Sequence, residues 1–232
     1  MGNPDAILTY RGTLRENIIN NNIGRIINLS ASTVNNSHTR KVLVSKVEDA
    51  LYYDADCIAS HINLTSKYEH EMLSQFGNIV TNCTRYSLPV LAIIYPRGEN
   101  IDKSDNNYTD LKLNNPEKYA NLLCHCVRVA KELGADIIKT HYTGIPDTFV
   151  RVIDAARPVP VIIAGGEFID AKEVLLMAEN ALKCGCKGIS FGRNVFSRKF
   201  SKNMVNALSD IVHNNITASN AFNSYYLSNE RE

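Results

Sequence analysis

Residues 134–144 read G-A-D-I-I-K-T-H-Y-T-G, from Gly134 to Gly144, and place Lys139 at the end of a short apolar run. The run has the length and composition of a buried strand, bounded on each side by glycine. Burying an ammonium is costly unless its pKa falls or it gains a partner. A lysine whose pKa has fallen is also the nucleophile that forms a Schiff base with a carbonyl. The alternative is a lysine that snorkels from the strand end into water. Spacing alone leaves both readings open, and the rest of the chain has to decide.

Outward from this stretch, apolar runs alternate with amphipathic helical patterns. The runs are Ala6 to Tyr10, Arg25 to Ser30, Ala55 to Ile62, Leu88 to Tyr95, the Lys139 run, Val159 to Gly166 and Lys187 to Gly192. Helical spacing predicts helices over Val42 to Tyr53, Glu69 to Tyr86, Pro116 to Leu133, Pro146 to Ala156 and from an Asp170 N-cap to about Cys184. A polar, asparagine-rich stretch surrounds Ile18 to Asn22. A longer polar loop, Arg97 to Asn114, has the length of a functional segment. Strands that alternate with helices imply parallel strands joined by helical crossovers. Seven such units fit a (β/α) barrel with one strand uncounted, or an open doubly wound sheet. The ends of the last two runs, A-G-G and F-G-R-N, favour the barrel, because such glycine-marked turns often hold phosphate there.

The 232 residues fit a single domain covering 1–232, with 44% hydrophobic and 21% charged residues. A net charge of +1 gives no electrostatic reason to expect nucleic acid or a membrane surface as a partner. No apolar run approaches the roughly 20 residues of a membrane span. The first residues lack the pattern of a signal peptide, so a cytoplasmic location is expected. Six cysteines without C-x-x-C spacing read as reduced core residues, and the C-H-C at 124–126 puts its ligand types on different helix faces. No metal site is expected.

Four motifs then occur in order: I-I-Y-P-R-G (93–98), G-A-D-I-I-K-T-H-Y-T-G (134–144), V-P-V-I-I-A-G-G (159–166) and G-I-S-F-G-R-N-V-F (188–196). Together they resemble the class I aldolase family of archaeal-type fructose-bisphosphate aldolase and 2-amino-3,7-dideoxy-D-threo-hept-6-ulosonate synthase. I-V-H-N-N-I-T-A (211–218) and Y-E-H (68–70) are more similar to a related thiolase that acts on autoinducer-2 phosphate products. The resemblance implies a TIM barrel, a phosphorylated sugar or ketose as substrate, no cofactor and a homo-oligomer. It implies Lys139 as the Schiff-base lysine and Tyr95 as the proton-relaying tyrosine. Gly165, Gly166, Gly192 and Arg193 match the phosphate-binding turns, and Ser30 lies where a further phosphate-contacting loop is expected.

Relatives begin with a strand ending in Asp-His-Gly, a motif missing from this sequence. The segment N-P-D-A-I-L matches the start of the second barrel strand, so the first strand and its helix are expected to be lacking. Asp5 precedes its strand and would lie at the opposite end from the site. The function implied is a metal-independent class I aldolase or transaldolase. The alternatives are acyl transfer to coenzyme A and a non-catalytic sugar-phosphate-binding homologue.

Overall fold

The computed structural model describes residues 2, 4–16, 19, 22–33, 38–99 and 107–227. The strands in chain order are β1 (Ala6–Thr9), β2 (Gly24–Asn28), β3 (Ser30–Ala31), β4 (Val42–Leu43), β5 (Cys57–Leu64), β6 (Val90–Pro96), β7 (Ile137–His141), β8 (Val161–Ala164) and β9 (Gly188–Ser190). Seven of them form one parallel sheet in the order β1-β2-β5-β6-β7-β8-β9, and β3 pairs with β4 as a small antiparallel hairpin. All seven apolar runs are therefore barrel strands.

Period-two alternation sorts the side chains of each strand. In β6, Val90, Ala92 and Ile94 pack outward under the helices, whereas Leu91 and Ile93 join Cys57 and Ala59 in the interior. Leu8, Ile26, Ile137 and Ile162 complete that inner cluster from the neighbouring strands. Burying each large aliphatic side chain contributes roughly 1.5–3 kcal/mol. The covering helices bury one face each: Met72, Phe76, Ile79 and Cys83 on α3 (Glu69–Tyr86), and Tyr119, Leu123, Cys126 and Val127 on α5 (Pro116–Glu132). α5 starts at an Asn115 cap that accepts the Lys118 amide at 3.1 Å, with Pro116 in the first turn. Asp170 likewise caps α7 (Ala171–Lys183) through the Lys172 amide at 2.8 Å.

Two short sequence repeats pin the strand register. Asp56, in A-D-C-I, accepts the Arg25 amide, and Asp136, in A-D-I-I, accepts the Val90 amide, both at 2.8 Å. Each carboxylate thus ties the start of its own strand to the start of the preceding one.

The sheet curls back on itself. A Cβ on Gly2 would sit 2.6 Å from that of Val205 on α9 (Ser201–Asn214), and Asp5 meets His213 of the same helix at 3.0 Å. The first strand therefore packs beside the last long helix. Among the described residues nothing hydrogen-bonds β9 to β1, so the fold is a TIM-type barrel one strand short. Asp5 lies before β1, away from the strand C-termini.

Three sequence expectations need correction. Residues 42–53 are not one helix: β4 comes first, because Val42 and Leu43 pair with β3, and α2 spans Val47–Tyr52. The 97–114 loop contains a helix, α4 (Asn107–Asn114), and its residues 100–106 lie outside the described set. β5 runs to Leu64, two residues beyond the expected end, because its pairing with β6 continues to Leu64 opposite Pro96. The asparagine-rich stretch near Ile18 lies mostly outside the described residues. No described helix is long and apolar enough to cross a membrane.

Candidate active site

Register places Lys139 at the middle of β7, beside Ile93 of β6 and Ile162 of β8. Apolar neighbours strip water from the amine, and burial lowers its pKa to about 8. Part of the side chain stays accessible, so a reagent can reach it. One level higher in the ladder stand Asn63 opposite Tyr95, and His141 opposite Ala164.

Tyr95 sits between two imidazoles. Its ring meets His61 edge-on at 4.8 Å and stacks on His141 at 4.0 Å. Tyr108 of α4 closes over this group, 4.5 Å from His141 and 6.0 Å from Tyr95. Burial pushes the Tyr95 phenol up to about 12, against the pull of the Arg97 guanidinium, so it is protonated at neutral pH.

Burial also drives both histidines neutral, and nearby cations reinforce it. His141 is held down to about 3 by burial and then by Lys112, Arg97 and Lys139. His61 is held well below its ordinary value by burial and then by Lys41, Arg97 and Lys139. Lys41, Lys112, Arg97 and Lys139 thus gather around these two rings and favour negative charge beside them, with Glu167 on the rim of the adjoining cleft. His61 Nε2 and Asn63 Oδ1 are buried with no hydrogen-bond partner among the described residues.

Beside this group lies a cleft of about 170 Å³ lined by Tyr108, Lys112, Tyr119, His141, Gly165 and Gly166 among others. Gly165 is half-buried, and a Cβ there would come 3.0 Å from the Phe191 ring. Gly166 has φ +66°, which favours glycine. Asn194, fully buried, braces this turn: its Nδ2 donates to the Gly165 and Glu167 carbonyls at 2.9 and 2.7 Å, and its Oδ1 accepts the Ile169 amide at 3.0 Å. Gly192 and Arg193 open the next turn and are exposed, at the head of α8 (Arg193–Phe196).

The structure thus brings Lys139, Tyr95, Gly165 and Gly166 to one end of the barrel. Ser30 is set apart from them in kind. Its hydroxyl accepts the His61 amide at 2.8 Å and lies 3.3 Å from Asn28 Oδ1, so it works as a buried strand brace. His141, Tyr108, Lys112 and Tyr119 were not among the expected site residues. For His141 a signal existed, since it lies two residues from Lys139 on the same strand face. Lys112 and Tyr108 sat in what read as loop, and Tyr119 in a helix read over Pro116 to Leu133 where nothing local singles it out.

A curled parallel sheet with a depressed lysine inside it and a protonated tyrosine toward its C-terminal mouth holds the groups that carbonyl chemistry uses. Residues 1–198 match the model of the DeoC/LacD family aldolases, and the chain belongs to that family. It is 36% identical over 219 residues to 2-amino-4,5-dihydroxy-6-oxo-7-(phosphonooxy)heptanoate synthase of Streptomyces griseus, covering 92% of this chain and 74% of that protein. It is also 36% identical over 211 residues to 2-amino-3,7-dideoxy-D-threo-hept-6-ulosonate synthase of Halobacterium salinarum, covering 90% and 74%. The crystal structure of an archaeal fructose 1,6-bisphosphate aldolase superposes with a TM-score of 0.79 at 29% identity, covering 90% of this chain and 79% of that one. A second archaeal fructose-1,6-bisphosphate aldolase structure, with a TM-score of 0.78 at 28% identity and coverage of 90% and 78%, has its catalytic lysine covalently bound to the carbinolamine intermediate.

Proposed function

We propose that this chain is a metal-independent class I aldolase or transaldolase that forms a Schiff base between Lys139 and a phosphorylated ketose. The observation that carries this reading is the Lys139 amine, lowered to about 8 inside the barrel, on β7 beside the β6 strand whose end carries the protonated Tyr95. The neutral amine attacks the ketone carbon, and the carbinolamine loses water to give an iminium. In the cleavage direction the carbon–carbon bond breaks, its electron pair enters the iminium to give an enamine, and the β-hydroxyl gives up its proton as it becomes an aldehyde. In condensation the Tyr95 phenol donates a proton to the aldehyde oxygen, and that proton returns in cleavage.

The cations around His61 and His141 suit an anionic substrate, and the turns at Gly165, Gly166, Gly192 and Arg193 are the site's phosphate-binding part in this reading. Ser30 belongs to a further phosphate-contacting loop in this reading. The relatives' names favour fructose 1,6-bisphosphate or an aminodideoxyheptulosonate precursor as substrate type. This enzyme works as a homo-oligomer, a reading supported by the two sheet edges, β1 and β9, left unpaired among the described residues and by exposed Phe168, Phe196 and Phe200. Its six free thiols suit the cytoplasm. A coupled assay tests the activity: the purified chain cleaves fructose 1,6-bisphosphate in the presence of a chelator, and Lys139→Ala does not. Cleavage retained in Lys139→Ala would contradict the reading.

A further inference from the structure

His141 is built into the barrel mouth more firmly than the imine chemistry requires. It is 7% exposed, stacked on Tyr95, and joined at Nδ1 by the Tyr119 hydroxyl at 2.9 Å. Tyr119 is fully buried on α5, and this is the one hydrogen bond its hydroxyl makes among the described residues. That pairing fixes the tautomer. If Nδ1 carried the proton it would donate to the phenolic oxygen, leaving the phenol's own hydrogen buried without an acceptor, at a real cost. With the proton on Nε2, the hydroxyl donates to Nδ1 and both groups are satisfied. Burial and the surrounding cations keep the second proton off.

The result is a neutral ring with Nε2–H as its remaining donor. Nε2 makes no hydrogen bond to a described residue, and the ring lines the cleft with Lys112, Gly165 and Gly166. Lys112 is itself held in place, donating to the Tyr142 carbonyl at 3.0 Å.

We propose that His141 is a substrate-orienting residue, its Nε2–H fixed by Tyr119 as a hydrogen-bond donor to a hydroxyl or carbonyl oxygen of a phosphorylated substrate in this cleft. The substrate class rests on the aldolase reading, whereas the tautomer and the donor rest on this chain's own geometry. Tyr119 is a positioning residue that never touches the substrate. A substrate with hydrogen in place of that oxygen leaves the donor unpaired and is discriminated against.

The test uses the full chain labelled with nitrogen-15 in histidine, and assigns the His141 ring by its loss in His141→Gln. The expected long-range proton–nitrogen spectrum shows the neutral Nε2–H tautomer, and adding dihydroxyacetone phosphate shifts Nε2. Tyr119→Phe yields a mixture of tautomers. An Nδ1–H tautomer, or an Nε2 unmoved by saturating dihydroxyacetone phosphate, overturns the proposal. In kinetics, His141→Phe keeps the ring stack but loses the donor, and kcat/KM falls about tenfold or more. His141→Gln keeps a donor and recovers most of that loss; equal losses in the two variants would assign His141 a packing role only. Borohydride trapping on Lys139 reports the aldolase reading separately. No adduct together with a shifted Nε2 sinks the imine chemistry alone, and an adduct with an unmoved Nε2 sinks this inference alone.

Discussion

The amine of Lys139 attacks a carbonyl only when neutral, and burial brings that state within reach of physiological pH. The rate of imine formation is expected to rise about tenfold per pH unit below about 8 and to level off above it. A pH profile of kcat/KM with condensation substrates checks this, and a flat profile between pH 6 and 8 would count against it. The same shift lowers stability. The folded chain holds fewer protons than the unfolded one between about 8 and the ordinary lysine value of 10.5, so stability rises with pH across that window. Below about 8 the full desolvation cost is present. Lys139→Met removes it, and is expected to stabilise the protein at pH 7 on the order of 2 kcal/mol, a value discounted because the side chain keeps some solvent contact. Urea unfolding at pH 7 and at pH 10.5 measures the gain and its disappearance. Lys139 itself was legible in the sequence, because a lysine inside an apolar run is conspicuous. The aromatic cage around His141 was not, since Tyr95, Tyr108 and Tyr119 come from three elements that only tertiary packing brings together.

Strands and turns depend on a few polar side chains. Asn194 satisfies three backbone groups of the 165–169 turn. Asn194→Ala is expected to cost about 2–4 kcal/mol and to raise KM for phosphorylated substrates more than it changes kcat. Denaturant titration and steady-state kinetics test the two halves of that statement. Asp136 joins the starts of β7 and β6 through the Val90 amide, so Asp136→Ala is expected to destabilise by about 1–2 kcal/mol without moving the pH profile. The long elements were readable because their apolar spacing is regular: α3 and α6 (Pro146–Ala156) have the boundaries that the pattern gives. The short ones were not. The two residues of β4 and the eight of α4 are held by contacts with β3 and with α5, and no local periodicity announces them.

The whole molecule is a parallel barrel with seven strands described and two edges, β1 and β9, that do not pair with each other. Alternating runs and helices made this architecture visible, and the glycine turns after β8 and β9 chose the barrel over an open sheet. What the pattern could not supply was how the edges approach, which depends on Gly2 and Asp5 packing on α9. The Asp5–His213 contact is exposed on both sides and is expected to matter little: Asp5→Asn should change stability by under about 1 kcal/mol, measured by thermal unfolding. The central claim is that this barrel, one strand short, still assembles a Schiff-base pocket. Borohydride reduction of the pure protein with dihydroxyacetone phosphate or fructose 1,6-bisphosphate, followed by peptide mass mapping, tests it most directly. A stable adduct on Lys139, lost in Lys139→Ala, is the expected result. A folded protein that yields no adduct, or one whose adduct maps to another lysine, would contradict it.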